Sequence, residues 1–151
     1  MKIAFIGAGS MAEAIIAGLL RQEICTKENI RVTNKQDQQR LESLKNKYGV
    51  TTMENKEAAV KDANVIFLAM KPKDAKDGIQ SIKTYVTKEQ LIVSVLAGIS
   101  TEVIQELFEQ ELRVIRSMPN TSAAIGLSAT AIAKGSFATE SDLALVQSLF
   151  S

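Results

Sequence analysis

The strongest constraint on the fold of this chain is its regular alternation of short apolar runs with segments of helical periodicity. Residues Ile3–Ile6 form a continuous apolar run, as expected of a strand buried on both faces, and apolar residues then recur at helical spacing from Met11 to Leu20. Similar runs predict further strands at Ile30–Thr33, Val50–Thr52, Val65–Met70, Leu91–Val95 and Arg113–Arg116. The intervening patterns predict helices at Asp37–Lys47, from Lys56, at Asp74–Thr84, Thr101–Gln110 and Glu140–Ser151. Strands joined through helices require crossover connections, so we expect an α/β fold with a doubly wound, mainly parallel sheet and helices on both faces.

The composition suits a single packed domain over residues 1–151, since 46% of the 151 residues are hydrophobic. The formal charge of +1 supplies no overall field that would recruit nucleic acid or an anionic membrane. Histidine is absent and Cys25 is the only cysteine, which excludes a histidine triad, a CxxC metal site and an internal disulfide. No apolar run approaches the roughly 20 residues that span a bilayer. We predict a cytoplasmic domain that binds no metal, nucleic acid or membrane.

A glycine motif stands between the first predicted strand and the first predicted helix. Gly7-Ala8-Gly9-Ser10-Met11-Ala12 fits the pattern G-x-G-x-x-G/A. In this motif the first glycine makes a tight turn, the second lets the backbone approach a pyrophosphate, and the third small residue lets helix and sheet pack closely. The helix N-terminus adds free N–H groups and a partial positive charge. The context predicts a Rossmann-type dinucleotide site, and the absence of G-x-x-x-x-G-K-[ST] disfavours a mononucleotide P-loop.

The end of the second predicted strand indicates which dinucleotide is bound. An NAD-selective site usually places Asp or Glu there to bind the ribose hydroxyls, whereas this chain has Asn34 and Lys35. Hydrogen-bond donors and positive charge favour a 2′-phosphate, so we expect NADP(H), with NAD(H) less preferred, and Arg40 as a possible second cation. The alternative is that Lys35 and Arg40 are ordinary solvated surface charges, which Asp37 could offset.

Two loops after later strands are expected at the same crevice, because ligands of open α/β sheets bind outside the carboxyl ends of the strands. After the fourth strand, Pro72 fixes its own φ and keeps Lys71 out of the helical region. After the fifth strand, Ala97 and Gly98 are small enough for a ring system to come close. Taken alone, Lys71-Pro72 is more often an ordinary loop start than a site. We assign no catalytic side chain.

The composition changes near the end of the chain. From Ser117 to Gly135 the only charged residue is Lys134, and small residues dominate. We expect this stretch to be buried or pressed against a ligand or partner, with Asn120 placing a polar amide at the mouth of the crevice. The chain then stops at Ser151 without a capping signal. The sequence is therefore expected to be part of a longer protein.

Taken together, these motifs resemble the pyrroline-5-carboxylate reductase family over all 151 residues. The glycine motif is shared by many dehydrogenases, but the ordered set is specific. The matching segments are Phe5-Ile6-Gly7-Ala8-Gly9-Ser10-Met11-Ala12, Asn55-Lys56-Glu57, Phe67-Leu68-Ala69-Met70-Lys71-Pro72, Ser94-Val95-Leu96-Ala97-Gly98-Ile99 and Arg113-Val114-Ile115-Arg116-Ser117-Met118-Pro119-Asn120-Thr121.

The resemblance implies a reaction and a set of cofactor contacts. Enzymes of this family reduce the cyclic imine of 1-pyrroline-5-carboxylate to L-proline, the last step of proline biosynthesis, by hydride transfer from NADPH or NADH. The implied contacts are Ile6, Gly7, Ala8, Gly9, Ser10 and Met11 at the pyrophosphate, Asn34 and Lys35 at the 2′-phosphate, Asn55 near the adenosine, and Ala69, Lys71, Pro72, Ala97 and Asn120 at the nicotinamide.

The chain departs from the family pattern in two places. Ser122 stands where the family usually has proline, which adds an N–H donor and frees φ at that position. The family also continues into a helical C-terminal domain, absent here, which binds the substrate carboxylate and imine and builds the homo-oligomer. We therefore expect this chain to bind cofactor with little or no turnover, and to self-associate through its small-residue stretch. The alternatives are another NADP-dependent imine or β-hydroxyacid oxidoreductase, or a non-enzymatic dinucleotide-binding module.

Overall fold

The fold is built on one seven-stranded sheet. The structure is a computed structural model that describes residues 1–120 and 128–150, with the backbone alone at 120 and 128–132. The strand order is β3-β2-β1-β4-β5-β6-β7, all neighbours being parallel except the antiparallel pair β6 and β7. The predicted mainly parallel sheet is thereby confirmed. The strands are β1 Ile3–Ile6, β2 Ile30–Thr33, β3 Thr51–Thr52, β4 Val65–Leu68, β5 Leu91–Ser94, β6 Arg113–Asn120 and β7 Ser128–Lys134.

Six helices are described, and four of them begin at a residue whose side chain accepts a backbone N–H of the first turn. Asp37, Asn55, Ser100 and Thr139 supply these caps. None of the described helices is long and apolar enough to cross a membrane. The helices are α1 Ser10–Arg21, α2 Gln38–Tyr48, α3 Lys56–Val60, α4 Ala75–Gln80, α5 Thr101–Phe108 and α6 Glu140–Leu149.

The hydrophobic core lies on both faces of the sheet. Side chains alternate along each strand, so that Phe5 packs in the cluster that includes α1, α2 and α6, whereas its neighbour Ala4 packs in the cluster that includes α3, α4 and α5. Phe5 stacks on Phe67 of β4 with ring centroids 4.8 Å apart. Burial on both faces explains why the central strands are continuous apolar runs.

The structure differs from the predicted elements mainly at their ends. β7 was not predicted, and β6 extends to Asn120, four residues beyond the expected end at Arg116. The stretch expected to be buried or pressed against a ligand or partner thus supplies the outer edge of the sheet, while residues 121–127, including Ser122, lie outside the described part. The predicted helix Asp74–Thr84 is regular only over α4, with a 3₁₀ turn at Pro72–Asp74 before it and turns after it.

The ion pair between Arg113 and Asp142 fixes α6 to the start of β6. Asp142 is 6% exposed, its Oδ1 accepts Nη1 of Arg113 at 2.7 Å, and its Oδ2 accepts the backbone N–H of Thr139 at 2.9 Å. The same carboxylate therefore completes the capping box of α6 and neutralises a half-buried guanidinium.

Replacing Asp142 with alanine is expected to lower the free energy of unfolding by about 2–4 kcal/mol, because it removes a helix cap and leaves Arg113 without its counter-charge. Urea unfolding measures the change. Glu140→Ala is the matched control: the Glu140 side chain is 80% exposed in its pair with Lys134, so we expect a change within about 0.5 kcal/mol. Equal losses in the two variants would contradict this assignment.

Candidate dinucleotide-binding site

The crevice lies where the strand order reverses, between the carboxyl ends of β1 and β4. Chain connections run outward from these two neighbouring strands in opposite directions, which is the usual ligand position of a doubly wound sheet. Ile6 lies in register with Thr33 on β2 and with Leu68 on β4. The loops that follow these three strands therefore leave the sheet at the same edge and border one crevice.

Gly7 makes the turn that brings the loop after β1 against the end of β4. Its φ is +113°, and a Cβ built there would lie 2.5 Å from the backbone of Ala69 and of Met70. Its N–H donates to the carbonyl of Thr33 at 2.8 Å. Only glycine combines this φ with so close an approach, which is the role predicted for the first glycine of the motif.

Gly9 is the residue before α1, and it faces open space. It is exposed, has φ −80°, and a Cβ built there would meet nothing within 4 Å. No side chain caps this 12-residue helix, so the first-turn N–H groups have no side-chain acceptor. Free amides, the positive end of a helix and a bare Cα together form a cradle that suits a pyrophosphate.

Arg40 of α2 holds the carbonyl side of the glycine loop. Its Nε donates to the carbonyl of Ala8 at 2.5 Å, and its Nη2 donates to the carbonyl of Gly9 at 3.2 Å and to Oε1 of Glu13 at 2.7 Å. The structure thus directs Arg40 toward the loop backbone, not toward a 2′-phosphate as a second cation. Sequence reasoning missed this role because the contacts join residues about thirty positions apart.

Glu13 is the carboxylate on which this arrangement depends. Its oxygens accept hydrogen bonds from Lys47 Nζ at 2.9 Å, Tyr48 Oη at 2.7 Å and Arg40. Hydrogen bonds from Lys47, Tyr48 and Arg40, in that order of effect, lower the pKa of the Glu13 carboxyl to about 2. Glu13 is therefore ionised at neutral pH and joins the first turn of α1 to both ends of α2.

The loop after β2 places Asn34 and Lys35 differently. The Asn34 side chain is part of a local turn, since its Nδ2 donates to the carbonyl of Asp37 at 2.9 Å and its Oδ1 accepts the N–H of Asp37 at 3.2 Å. The Lys35 side chain is 65% exposed and its Nζ lies 4.0 Å from Oδ1 of Asp74. This distance shows that the segments after β2 and β4 come close to each other.

A cavity of about 200 Å³ lies under the loop after β2. Lys56 Nζ points to this loop, donating to Thr33 Oγ1 at 2.8 Å and to the carbonyl of Asn34. Burial lowers the pKa of the Lys56 ammonium. Glu54 accepts a hydrogen bond from Gln38. The lining residues are Asn34, Lys35, Gln36, Gln38, Leu41, Glu54 and Lys56.

Sequence reasoning had given Lys56 and Glu54 no role in this cavity. The only signal was that Lys56 follows Asn55 in the segment shared with the family. Asn55 itself caps α3, its Oδ1 accepting the N–H of Ala58 at 3.0 Å.

The other predicted contacts lie at the carboxyl ends of β4, β5 and β6. Ala69 is 8% exposed directly after β4, and Lys71 and Pro72 are exposed at the start of the next turn. Ala97 is exposed after β5, beside Gly98 with φ +75°. Asn120 is the last residue of β6, and its side chain lies outside the described part. A larger cavity of about 610 Å³ opens at the opposite edge, near Asn64 and Gln90, which precede β4 and β5.

Comparison with known proteins agrees with this arrangement. The model of the family described as NADP oxidoreductase coenzyme F420-dependent matches residues 2–98. The chain is 46% identical over 148 residues to pyrroline-5-carboxylate reductase 1 of Bacillus subtilis, covering 98% of this chain and 50% of the relative. It is also 46% identical to reductase 2 of that organism, covering 53% of the relative. The chain thus spans about half the length of the curated relatives it matches, and the resemblance drawn from the sequence is confirmed.

Solved structures give the same picture of the fold. A pyrroline-5-carboxylate reductase from Coxiella burnetii superposes with a TM-score of 0.87 at 28% identity, covering 99% of this chain and 55% of that one. The Plasmodium falciparum pyrroline carboxylate reductase, solved with NADP bound, superposes with a TM-score of 0.82 at 22% identity, covering 99% of this chain and 54% of that one. The Rossmann-type fold expected from the motif is therefore confirmed.

The low pKa of Glu13 makes the stability of this site depend on pH. Because the folded-state pKa of about 2 lies below the ordinary value of 4.5, the ionised carboxylate stabilises the fold above pH 4.5, and this contribution is lost as pH falls toward 2. We expect Glu13→Gln to lower the free energy of unfolding by about 2 kcal/mol at pH 7 and by less than half of that at pH 3.

Urea unfolding between pH 7 and pH 3 measures this difference. Tyr48→Phe is the matched variant, since it removes one of the three donors to Glu13 and should reproduce only part of the loss. A Glu13→Gln deficit that is the same at pH 3 as at pH 7 would show that the ionised carboxylate is not what stabilises the loop.

Proposed function

We propose, because the chain belongs to the family described as NADP oxidoreductase coenzyme F420-dependent, that it forms the dinucleotide-binding half of a pyrroline-5-carboxylate reductase. The whole protein would reduce 1-pyrroline-5-carboxylate to L-proline with NADPH. The observation that carries the proposal is the bare, uncapped turn between β1 and α1, with Gly9 facing open space. The names of the curated relatives supply the substrate.

The first-turn amides of α1 would hold the pyrophosphate. In the proposed arrangement, Gly9, Ser10 and Met11 donate main-chain N–H groups, while Ile6, Gly7 and Ala8 form the floor of the loop. The residues fit this group because Gly9 leaves room for phosphate oxygens beside an uncapped helix N-terminus. Arg40 supports the cradle from behind, since its bonds to the carbonyls of Ala8 and Gly9 leave the N–H groups facing the ligand.

The 2′-phosphate would lie beside Lys35 at the mouth of the 200 Å³ cavity. Lys35 supplies an exposed ammonium, and Asn34 retains one amide hydrogen after its bond to Asp37. Lys56 adds positive charge under the loop, which supports NADP(H) over NAD(H). Glu54 and Asp74, whose carboxylate lies 4.0 Å from Lys35 Nζ, act in the opposite direction, so the preference depends on Lys35 and Lys56 outweighing two carboxylates. Asn55 would lie near the adenosine.

The nicotinamide would reach the loops after β4, β5 and β6. Ala69, Lys71, Pro72, Ala97 and Asn120 are its proposed neighbours, with the small side chain of Ala97 allowing the ring to approach the backbone. The bound cofactor supplies the hydride, and these residues orient the ring and exclude water. No histidine is needed, because an imine can arrive already protonated.

The substrate-binding groups would lie in a further domain. Residues 1–151 form the proposed cofactor domain, and the relatives are about twice as long. We propose that the remaining half fixes the imine, builds a homo-oligomer and completes a cytoplasmic enzyme. By itself, this chain would bind cofactor with little turnover, because the groups that bring substrate to the nicotinamide are missing.

Replacing Gly9 with alanine tests the pyrophosphate cradle. The new methyl group meets no protein atom, so the free energy of unfolding should change by less than about 1 kcal/mol. The same methyl group would displace the phosphate from charge-assisted hydrogen bonds, so NADPH affinity measured by calorimetry should fall at least about tenfold. Gly7→Ala is the contrasting variant and should lose about 3 kcal/mol of stability through backbone strain. Unchanged NADPH affinity in folded Gly9→Ala would contradict the proposal.

Replacing Lys35 with aspartate tests the choice of dinucleotide. Removing the ammonium and adding a carboxylate should lower NADPH affinity about tenfold while leaving NADH affinity nearly unchanged. Fluorescence titration with both nucleotides measures the ratio. Arg40→Met is the control: because Arg40 supports the glycine loop and not the 2′-phosphate, both affinities should fall by the same factor. A preference for NADPH that survives Lys35→Asp would contradict the assignment.

A further inference from the structure

Arg116 is the exception among the half-buried arginines of the described chain. Arg31 donates to the carbonyls of Ala58 and Ala59, Arg40 pairs with Glu13, and Arg113 pairs with Asp142. Arg116 is also half-buried, but its side chain has no hydrogen bond or ion pair to any part of the chain that the structure describes, and its Nε is fully buried without an acceptor.

The undescribed residues cannot supply a carboxylate side chain. Residues 117–139 contain no Asp or Glu, so the segment between β6 and β7 offers Arg116 no acidic side chain. The first acidic residue after this stretch, Glu140, pairs with Lys134. A half-buried guanidinium without a counter-charge is costly, so an anion from outside residues 1–151 would stabilise this position.

Arg116 lies at the ligand edge of the sheet. It is in register with Ser94, the last residue of β5, on the row that also holds Leu68 and Ile6. Two residues earlier, Val114 packs in the cluster with Ile104 of α5. Since side chains alternate along a strand, Arg116 lies on the same face of the sheet as α5, toward the edge at which that helix begins. The helix N-terminus adds positive potential there.

The neighbouring residue, Ser117, has the same property on the other face of the strand. It is 1% exposed, and its Oγ has no hydrogen-bond partner. Two adjacent unsatisfied polar groups thus lie in the middle of β6, beside the carboxyl end of β5.

We propose that Arg116 is a carboxylate-binding residue at the β6 edge of the crevice. A guanidinium presents two parallel N–H groups to a carboxylate, and those on Nη1 and Nη2 of Arg116 pair with no described residue. The carboxylate is an acidic side chain of a polypeptide segment outside residues 1–151 that covers the crevice, because the substrate carboxylate is expected in the C-terminal domain; this choice rests on the proposed function.

The test follows the Nε–H signals of the arginines by ¹⁵N NMR in this chain with NADP⁺ present. Arg116→Lys assigns the Arg116 signal. Titration with sodium acetate and with L-proline should produce a saturable downfield shift of that signal, whereas sodium chloride and pyrrolidine, which lack a carboxylate, should not. Arg113 is the internal control, because its guanidinium already forms an ion pair with Asp142. Equal binding of acetate and L-proline is expected for a site that takes a side-chain carboxylate, whereas much stronger binding of L-proline would overturn this assignment in favour of the substrate.

An Arg116 signal that responds to neither carboxylate overturns the proposal. A second measurement does not depend on ligand: Arg116→Met should leave the melting temperature unchanged or higher, since it removes an uncompensated charge, whereas Arg113→Met should lower it. A large loss in Arg116→Met would show that Arg116 is already satisfied by the fold, and would also overturn the proposal. NADPH affinity should be unchanged in Arg116→Lys; a chain that binds acetate at Arg116 but no NADPH would refute the proposed function alone.

Discussion

The close approach of the β1–α1 turn to the end of β4 is the contact from which the site follows. At Gly7 the backbone comes so near to Ala69 and Met70 that no side chain fits between them. This approach fixes the direction in which the chain leaves β1, and therefore the position of the first turn of α1 over the crevice. The uncapped amides after Gly9 face the crevice because the turn before them is fixed by the sheet.

The charges around this turn are arranged so that a chain of nearly zero net charge would bind the proposed anion locally. Glu13 and Arg40 lie next to the cradle, yet they are directed at each other and at the carbonyl side of the loop. Arg40 and Lys47 offset the charge of this carboxylate and Tyr48 adds a hydrogen bond, so it would repel a phosphate less than a free carboxylate. The first-turn N–H groups of α1 have no side-chain cap and would be available to a ligand.

Much of the fold could be predicted because parallel strands buried on both faces leave a clear signal. β2 has the predicted bounds, and α1, α2, α5 and α6 appear where helical periodicity placed them, with small differences at their ends. β7 was missed because Ser128–Lys134 is rich in small residues, which have little strand propensity. Its pairing with β6 depends on tertiary contacts that the local sequence does not show. The loops could be found from glycine and proline positions. The hydrogen-bond partners of Arg40 and Lys56 could not be predicted, because sequence spacing carries no information on which distant oxygen atoms a long side chain will reach.

The most direct measurement is a ¹H–¹⁵N NMR titration of this chain with inorganic pyrophosphate, followed by NADPH. If main-chain amides at the start of α1 bind the diphosphate, the signals of Gly9, Ser10 and Met11 should show the largest shifts with both ligands, and they should move in the same direction. If pyrophosphate shifts only signals around Lys35, or around the cavity near Asn64 and Gln90, while these three amides stay in place, the phosphate binds elsewhere and the glycine turn has only a structural role.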